Sequence, residues 1–376
     1  MNDARQPLQK RSFAGFAWSV LAYNMVVILW GAVVRATGSG AGCGEHWPLC
    51  PGVVIPHAAQ IATLIEFAHR CSSGVAVTLV LELAFLAFRR FGSGHPARRY
   101  SAAAVFFTLT EGLIGAALVL LGQVGSNASI THGLILSLHL VNTFLLLASL
   151  TLSAKTASVA MPTHSHGPET PDRPSDRVTG DYIWYGAGLL GTLALAVTGT
   201  IAALADTRFK ATSLTQALRW DFSGSSAALL HIRVVHPFIA VAVGAFLIML
   251  TLRSLRPGSC RSAKLLAKCL LALILFQFVF GLFNVLLLTP LWIQILHLLT
   301  ADLMWIMLVL LVAANRLANA SVLPSLRARQ PGSSMIPASL SRFALTGLRI
   351  VRPLPNSGRS IAQSQTCAGT KQQARL

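Results

Sequence analysis

The chain is dominated by eight long apolar runs, and each run is long enough to cross a lipid bilayer. A helical crossing needs about 20 mostly apolar residues, and the runs lie at 14–36, 61–88, 100–122, 130–153, 181–205, 229–252, 264–288 and 291–314. Only 11% of the residues are charged, against roughly 25% in soluble domains. The sequence therefore predicts an all-α integral membrane protein with eight transmembrane helices. A water-soluble globule, a disordered protein and a coiled coil are excluded.

The net charge of +18 follows membrane topology rather than nucleic-acid binding. Arg and Lys are concentrated in every second short connection, whereas 123–129 and 289–290 carry no charge. By the positive-inside rule, both termini are predicted to be cytoplasmic. No Ser- and Arg-rich transit segment precedes the first run, which favours the cytoplasmic membrane of a bacterium over a mitochondrion. No nucleic-acid partner is expected.

A hydrophilic segment divides the eight runs into two sets of four. Residues 154–180 are rich in Pro, Ser, Thr and charge, which predicts a cytoplasmic linker. The linker separates an N-terminal four-helix bundle (1–153), with an outer loop at 37–60, from a C-terminal four-helix bundle (181–315). Residues 316–376 hold nine Lys or Arg and no Asp or Glu. We expect them to form a mostly disordered cytoplasmic tail that lies on anionic lipid.

The two sets of runs carry similar residues at matching positions, which predicts a pseudo-repeat. Gly31 and Gly199 stand near the ends of the first and fifth runs, and Glu111 and Gln277 each precede a glycine by four residues in the third and seventh. One histidine recurs in each even-numbered run: His69, His139, His236 and His297.

These four histidines predict two bis-histidine sites, one in each bundle. Each lies some six to nine residues from the outer start of its run, roughly 9–14 Å below the outer surface at 1.5 Å per residue. Ionisable groups inside a membrane are functional by default, and facing side chains in bundle cores bind haem or metal. A haem accepts one imidazole on each face. Zinc is disfavoured, since no Cys or carboxylate completes a tetrahedral set.

Two alternatives to this ligand assignment stay open. A membrane histidine also serves as a hydrogen-bonding contact between helices. In addition, His132 and His231, which precede His139 and His236 on the same runs, are rival ligands nearer the surface.

Glu66 is predicted to be a reactive carboxylate beside the first site. It precedes His69 by three residues, so both project from one helical face about one turn apart. Arg233 stands at the corresponding position of the second half. This asymmetry predicts a substrate site in the first half and an electron-transferring prosthetic haem in the second. A buried ion pair of Glu66 with Arg70 or Arg35 is the structural alternative. The other acidic residues in or near the spans are interpreted as structural hydrogen-bonding groups: Glu82, Glu111 and Asp302.

Cys43 and Cys50 lie in the predicted outer loop, which faces an oxidising compartment. Two cysteines seven residues apart around a Pro-containing turn are able to close a disulfide. The pair is either a loop staple or a redox-active pair that exchanges with a thioredoxin-like partner. The remaining cysteines are interpreted as inert thiols: Cys71, Cys260, Cys269 and Cys367.

Together these residues resemble the haem A synthase family. The resemblance covers about residues 14–315 and rests on three segments: Gly-Ala-Val-Val-Arg35-Ala-Thr37-Gly38-Ser39-Gly40, Cys43 to His46-Trp47-Pro48-Leu49-Cys50-Pro51, and Glu66-Phe-Ala-His69-Arg70. His139, His236-Pro237 and His297 complete it.

The resemblance implies an oxidoreductase that converts a methyl group of haem O into a formyl group, producing haem A for terminal oxidases. It implies that Glu66 is catalytic and that His69 and His139 are the iron ligands of the substrate haem. His236 and His297 are then the ligands of a haem B cofactor. Cys43 and Cys50 match the paired cysteines of one subgroup, in which a disulfide is implicated in electron transfer.

The expected partners follow from this reading. They are haem O, a haem O synthase upstream, the lipid bilayer and an electron acceptor or thiol-redox protein. From their depth near the outer end, Arg35, Arg70 and Arg233 are predicted to pair with haem propionates. A non-catalytic di-haem b-type electron-transfer protein is the alternative function, and a quinone-linked thiol oxidant is a third.

Overall fold

Long apolar helices make up the regular structure of the chain. The computed structural model describes residues 5–50, 60–125, 127–158, 176–223, 228–257, 259 and 261–327. Within these ranges the helices are α1 (Arg5–Ala36), α2 (Ile61–Arg90), α3 (Pro96–Leu120), α4 (Ile130–Ser158), α5 (Asp176–Arg208), α6 (Leu214–Asp221), α7 (Ala228–Ser254), α8 (Arg261–Leu286) and α9 (Leu291–Arg327). All except α6 are long and apolar enough to span a membrane. The all-α class and the eight predicted spans are confirmed.

Several helices extend beyond the apolar runs that predicted them. α4 continues to Ser158 and α5 begins at Asp176, so both ends of the segment predicted as a linker are helical. Residues 159–175 of that segment lie outside the described residues. α9 continues to Arg327, and the rest of the predicted tail, 328–376, also lies outside them.

The short helix α6 was not predicted. It begins after Ser213, whose side-chain oxygen accepts a hydrogen bond from the backbone N–H of Gln216 at 3.2 Å. This is the usual N-terminal cap of a helix. α6 packs on α7, in the connection between α5 and α7.

The spanning helices form two four-helix groups. In the first group, α2 and α4 each pack on both α1 and α3, so α2 and α4 occupy opposite corners of the bundle. In the second group, α7 packs on α5 and α8, and α9 packs on the same two helices. The groups meet where α1 and α4 pack against α5 and α9. The recurring histidines therefore lie on opposite corners of each group: on α2 and α4 in the first, and on α7 and α9 in the second.

A smaller apolar cluster packs α5 against α7 at one end of the second group, and the main apolar core occupies the other end of both groups. It uses the N-terminal parts of α1, α3 and α8 and the C-terminal parts of α2, α4, α7 and α9. Across the groups, Trp305 of α9 stacks on Phe144 of α4 with ring centroids 5.2 Å apart, and its indole N–H donates to the Phe144 carbonyl at 2.6 Å. The histidines lie at the opposite end of the helices, which we call the histidine end. The structure thus has one end filled by the main apolar core and another where the histidines lie beside the smaller cluster.

Candidate functional site

His69 and His139 both lie at the histidine end of the first four-helix group. His69 is the ninth residue of α2 and His139 the tenth of α4, so both lie between two and three turns inside their helices. The His69 ring lies beside Gly31 of α1 and the His139 ring beside Gly115 of α3, on two helices that each pack on both α2 and α4.

The second bundle has a comparable arrangement. His236 is the ninth residue of α7 and His297 the seventh of α9. The hydroxyl of Thr198 lies 3.1 Å from Nδ1 of His236, which leaves Nε2 of that ring for another ligand. The side-chain nitrogen of Gln277 lies 3.2 Å from Nε2 of His297.

A glycine of a neighbouring helix lies beside each of the four imidazoles. A Cβ atom at Gly31 would lie 3.1 Å from Cε1 of His69, and one at Gly199 would lie 3.0 Å from Cε1 of His236. Both distances are shorter than ordinary van der Waals contact. A Cβ at Gly281 would lie 3.4 Å from His297, and one at Gly115 would lie 3.8 Å from His139. Gly31 and Gly199 are therefore required for the present positions of their neighbouring rings, whereas Gly281 and Gly115 leave more space beside theirs.

The imidazoles of the four histidines are suitable ligands for a porphyrin iron. The Nδ1 atoms of His69, His139 and His297 are buried, and none has a hydrogen-bond partner in the part of the chain that the structure describes. Buried polar atoms are normally paired, so these three imidazoles have bonding capacity that the described part of the chain does not use. Among the described residues, no three His, Cys, Asp or Glu side chains converge on a metal-ion site. Two imidazoles on opposite helices are the ligand set of a six-coordinate haem.

Glu66 is buried and joined to the outer loop. The residue is only 3% exposed to solvent. Oε1 accepts a hydrogen bond from Nη2 of Arg70 at 2.5 Å, and Oε2 accepts one from the backbone N–H of Cys43 at 2.8 Å. The ion pair named as the structural alternative is present, with Arg70 rather than Arg35 as the partner. The same carboxylate is three residues from His69, one turn along α2.

Arg70 fastens the loop between α1 and α2. Besides its bond to Glu66, Nη1 donates to the carbonyl oxygens of His46, Pro48 and Leu49 at 2.7, 3.3 and 2.8 Å. Cys43 and Cys50 form a disulfide within this loop, and the two cysteines are 0% and 1% exposed. Thr63 adds a hydrogen bond from its hydroxyl to the Gly42 carbonyl at 2.7 Å. The loop is thus held on α2 by covalent and polar contacts together.

The other two predicted propionate partners bind protein groups in this structure. Arg35 joins the two four-helix groups: it donates to the Ala203 carbonyl and the Thr207 hydroxyl of α5, each at 2.7 Å, and to Gln294 of α9 at 2.8 Å. Arg233 pairs with Asp206 at 3.0 Å and also with Asp221 of α6.

The two rival histidines lie elsewhere. Nδ1 of His132 donates to the Asn127 carbonyl at 2.7 Å, and the residue is buried. His231 is exposed near the start of α7. Cys71 and Cys269 are free and exposed, whereas Cys260 and Cys367 lie outside the described residues.

Three acidic residues in the spans have separate environments. Glu82 is exposed on α2. Asp302 is 0% exposed, and neither of its carboxylate oxygens has a hydrogen-bond partner among the described residues. Glu111 was predicted as a structural hydrogen-bonding group, and it does accept hydrogen bonds, from Asn142 at 2.5 Å and from Thr143. It also lies beside a candidate ligand: its Oε1 is 3.4 Å from Nδ1 of His139. The matching spacing of Glu111 and Gln277 before a glycine was the available signal for that contact.

The fold and the histidine end define a multi-pass helical membrane protein with histidines in its interior. The family model described as cytochrome oxidase assembly protein (COX15-CtaA) matches residues 14–309. The chain belongs to this family, the haem A synthase family that the sequence resembles.

Similar proteins support this membership. The chain is 44% identical over 290 residues to a Thermus thermophilus protein named "Protoheme IX farnesyltransferase", a match that covers 77% of this chain and 46% of that protein. It is 43% identical over 99 residues to the "Heme A synthase" of Alkalihalophilus pseudofirmus, covering 26% of this chain and 33% of the relative. It is 38% identical over 133 residues to the "Heme A synthase" of Shouchella clausii, covering 35% of this chain and 42% of the relative. The chain therefore spans less than half the length of each of these relatives.

Proposed function

We propose that the protein is a haem A synthase, which oxidises a methyl group of haem O to a formyl group. The observation that carries this proposal is the placement of two histidines on opposite helices in each half, at the end away from the packed core. Family membership supports it, as do the relatives named "Heme A synthase". We place the protein in the bacterial cytoplasmic membrane with both termini in the cytoplasm, since its basic residues are concentrated in alternate loops.

His69 and His139 are proposed to clasp the iron of the substrate haem, and His236 and His297 to hold a haem B cofactor. When bound, haem B supplies one-electron transfer. The residues of the chain position both macrocycles: the glycines leave room beside the imidazoles, and Thr198 fixes the ring of His236 through Nδ1. A hydrogen bond at the second ring nitrogen orients a ligating histidine. The main apolar core lies on the inner side of each site, where it limits the access of water from that end.

Glu66 is proposed as the catalytic carboxylate of the first site. A fixed carboxylate in a dry site stabilises developing positive charge, or accepts a proton, more effectively than in water. Arg70 and the Cys43 N–H hold it in place, so it cannot rotate freely toward the substrate. Its effect on the reaction is therefore that of a preorganised charge one helical turn from His69.

The three arginines stay proposed as propionate partners. In the structure, the guanidinium groups of Arg35, Arg70 and Arg233 already bind acceptors within the protein. A haem propionate bound at any of these arginines would share the guanidinium N–H donors with the acceptors within the protein. Arg70 is the candidate nearest to the first site, since it follows His69 directly in the sequence.

Two kinds of partner are proposed. The Thermus relative is named for farnesyl transfer to protohaem, and we propose that a haem O synthase of this kind supplies the substrate. An electron acceptor must take up the electrons released by methyl oxidation. Both cysteines of the disulfide are buried, so we propose that the pair staples the loop at rest. Thiol exchange with a thioredoxin-like protein then requires the loop to open.

Co-expression of the full chain with a haem O source, followed by pigment extraction and mass analysis, tests the function. The wild type is expected to produce haem A, and a wild type that leaves haem O unchanged contradicts the proposal. Glu66→Gln is expected to lose haem A formation while it keeps the haem B absorbance. If this variant forms the product at the wild-type level, Glu66 is not catalytic and the di-haem electron-transfer alternative gains support.

Thr63→Ala is the matched control for Glu66→Gln. Thr63 lies one turn before Glu66 on α2 and also fastens the loop, through Gly42, but it carries no charge. A loss of product confined to Glu66→Gln indicates a role of the carboxylate in the reaction. An equal loss in both variants indicates that loop attachment alone is needed.

A further inference from the structure

A polar network surrounds the second proposed ligand of the first bundle. The carboxylate of Glu111, on α3, accepts a hydrogen bond from Nδ2 of Asn142 at 2.5 Å and is also bonded to the Thr143 hydroxyl. The Thr143 hydroxyl lies 3.0 Å from the backbone carbonyl of His139. In turn, Oδ1 of Asn142 accepts a hydrogen bond from Thr110 at 2.7 Å. Glu111 is therefore fixed in position by α4, the helix that carries His139.

The same carboxylate lies beside the Nδ1 atom of the His139 ring. Its Oε1 lies 3.4 Å from Nδ1 of His139. That nitrogen is buried and makes no hydrogen bond in the described part of the chain. Because Nε2 is the nitrogen that faces a haem iron in a bis-imidazole site, Nδ1–H is left to bind an acceptor. Catalytic hydrogen bonds are often long before the ligand is bound, and a small rotation of the ring brings these two atoms within 3 Å or so.

The second bundle has a neutral side chain at the matching position. Gln277 also stands four residues before a glycine that lies beside a histidine. Its amide nitrogen contacts His297, 3.2 Å from Nε2, and its amide oxygen has no partner among the described residues. One proposed haem site thus has an anionic acceptor beside an axial histidine, and the other has an uncharged amide.

We propose that Glu111 is a positioning residue of the substrate site: it accepts the Nδ1–H of His139 and makes that imidazole a stronger donor to the substrate iron than His297 is to its own. This inference rests on the proposed function. A carboxylate bonded to a ligating histidine raises the basicity of the ligand, and ligand hydrogen bonding is one of the means by which a protein sets a haem potential. A stronger donor stabilises the ferric state, so Glu111 lowers the reduction potential of the first haem.

A redox titration of haemin-loaded full-length protein tests this inference without relying on turnover. Wild type, Glu111→Gln and Glu111→Asp are purified in detergent, and the reduction of each bound haem is followed by its visible spectrum and its low-spin electron paramagnetic resonance signal. Glu111→Gln is expected to raise the potential of one haem by at least a tenfold change in the ferric-to-ferrous ratio, about 59 mV for a one-electron couple. Glu111→Asp, which keeps the charge but draws the carboxylate back from Nδ1 of His139, is expected to raise the same potential by a smaller amount. Glu82→Gln, which removes an exposed carboxylate from α2, is expected to change neither.

The outcomes separate this inference from the proposed function. If Glu111→Gln binds two haems with wild-type potentials while the wild type makes haem A, the role of Glu111 is wrong and the function stands. If the wild type binds haem but makes no haem A, the function fails, whatever the potentials show. Should Glu111→Gln fail to fold, the Glu111→Asp arm decides, and an unchanged potential of the first haem in that variant overturns the inference.

Discussion

At the scale of single residues, two imidazole rings pack tightly against glycines of neighbouring helices. Gly31→Ala and Gly199→Ala would each place a Cβ about 3 Å from a histidine Cε1, so the ring must move from its present position. Overpacking of this kind costs about 1–3 kcal/mol, and roughly 1.4 kcal/mol corresponds to a tenfold loss of affinity. We expect both variants to bind haem about tenfold more weakly, as measured by haemin titration of the purified protein.

Gly115→Ala and Gly74→Ala are the controls for this prediction. A Cβ at Gly115 would lie 3.8 Å from His139, which is an ordinary contact, and one at Gly74 would meet nothing within 4 Å. Alanine is a better helix former than glycine, so a loss of haem at the first two positions is not a propensity effect. Equal haem affinity in all four variants would show that the glycines do not set the ring positions.

At the scale of elements, the loop between α1 and α2 is secured by more than its disulfide. Arg70→Ala removes the hydrogen bonds to three loop carbonyls and the ion pair with Glu66. Each lost hydrogen bond is worth about 0.5–1.5 kcal/mol, so the loop should open far more often. We expect at least tenfold faster reduction of the Cys43–Cys50 disulfide by a water-soluble phosphine, followed by maleimide labelling. The test uses a background in which the other four cysteines are serine.

Arg98→Ala is a suitable control, because Arg98 stacks on Phe88 at the opposite end of the bundle, with its guanidinium carbon 4.4 Å from the ring centroid. It should leave the reduction rate unchanged. If Arg70→Ala is reduced no faster than the wild type, the burial of the disulfide does not depend on the arginine.

Elements were easier to predict from the sequence than their contacts were. The eight spans followed from run length alone, because a backbone in lipid must satisfy its own hydrogen bonds within each helix. α6 was missed, since it is a short helix of eight residues that carries no span-length signal. The ion pair of Glu66 with Arg70 was foreseen as an alternative because the two residues are one turn apart on a helix. The acceptors of Arg35 were not foreseen, since they lie 168, 172 and 259 residues away in the sequence.

At the scale of the whole molecule, those distant acceptors make Arg35 a charged link between the two four-helix groups. Gly31, which lies beside His69, is one turn before it on α1. Gln294, which accepts its hydrogen bond, is three residues before His297 on α9. Gln294 also donates to the Thr289 carbonyl in the turn between α8 and α9. The arginine thus connects the surroundings of one proposed haem site to those of the other.

Arg35→Gln should therefore affect both sites although it changes no proposed ligand. Hydrogen bonds from a charged group contribute about 1.5–3 kcal/mol each, and a glutamine is too short to reach all three acceptors, so we expect a net loss of about 2–4 kcal/mol. Equilibrium unfolding in mixed detergent micelles measures this loss, and a haem assay of the same preparation should show reduced binding at both sites. Arg98→Gln, at the other end of the molecule, controls for the removal of a charge. Unchanged stability in Arg35→Gln, or a loss of haem from one site only, would mean that the two groups are coupled by apolar packing between α4 and α9, where Trp305 and Phe144 stack.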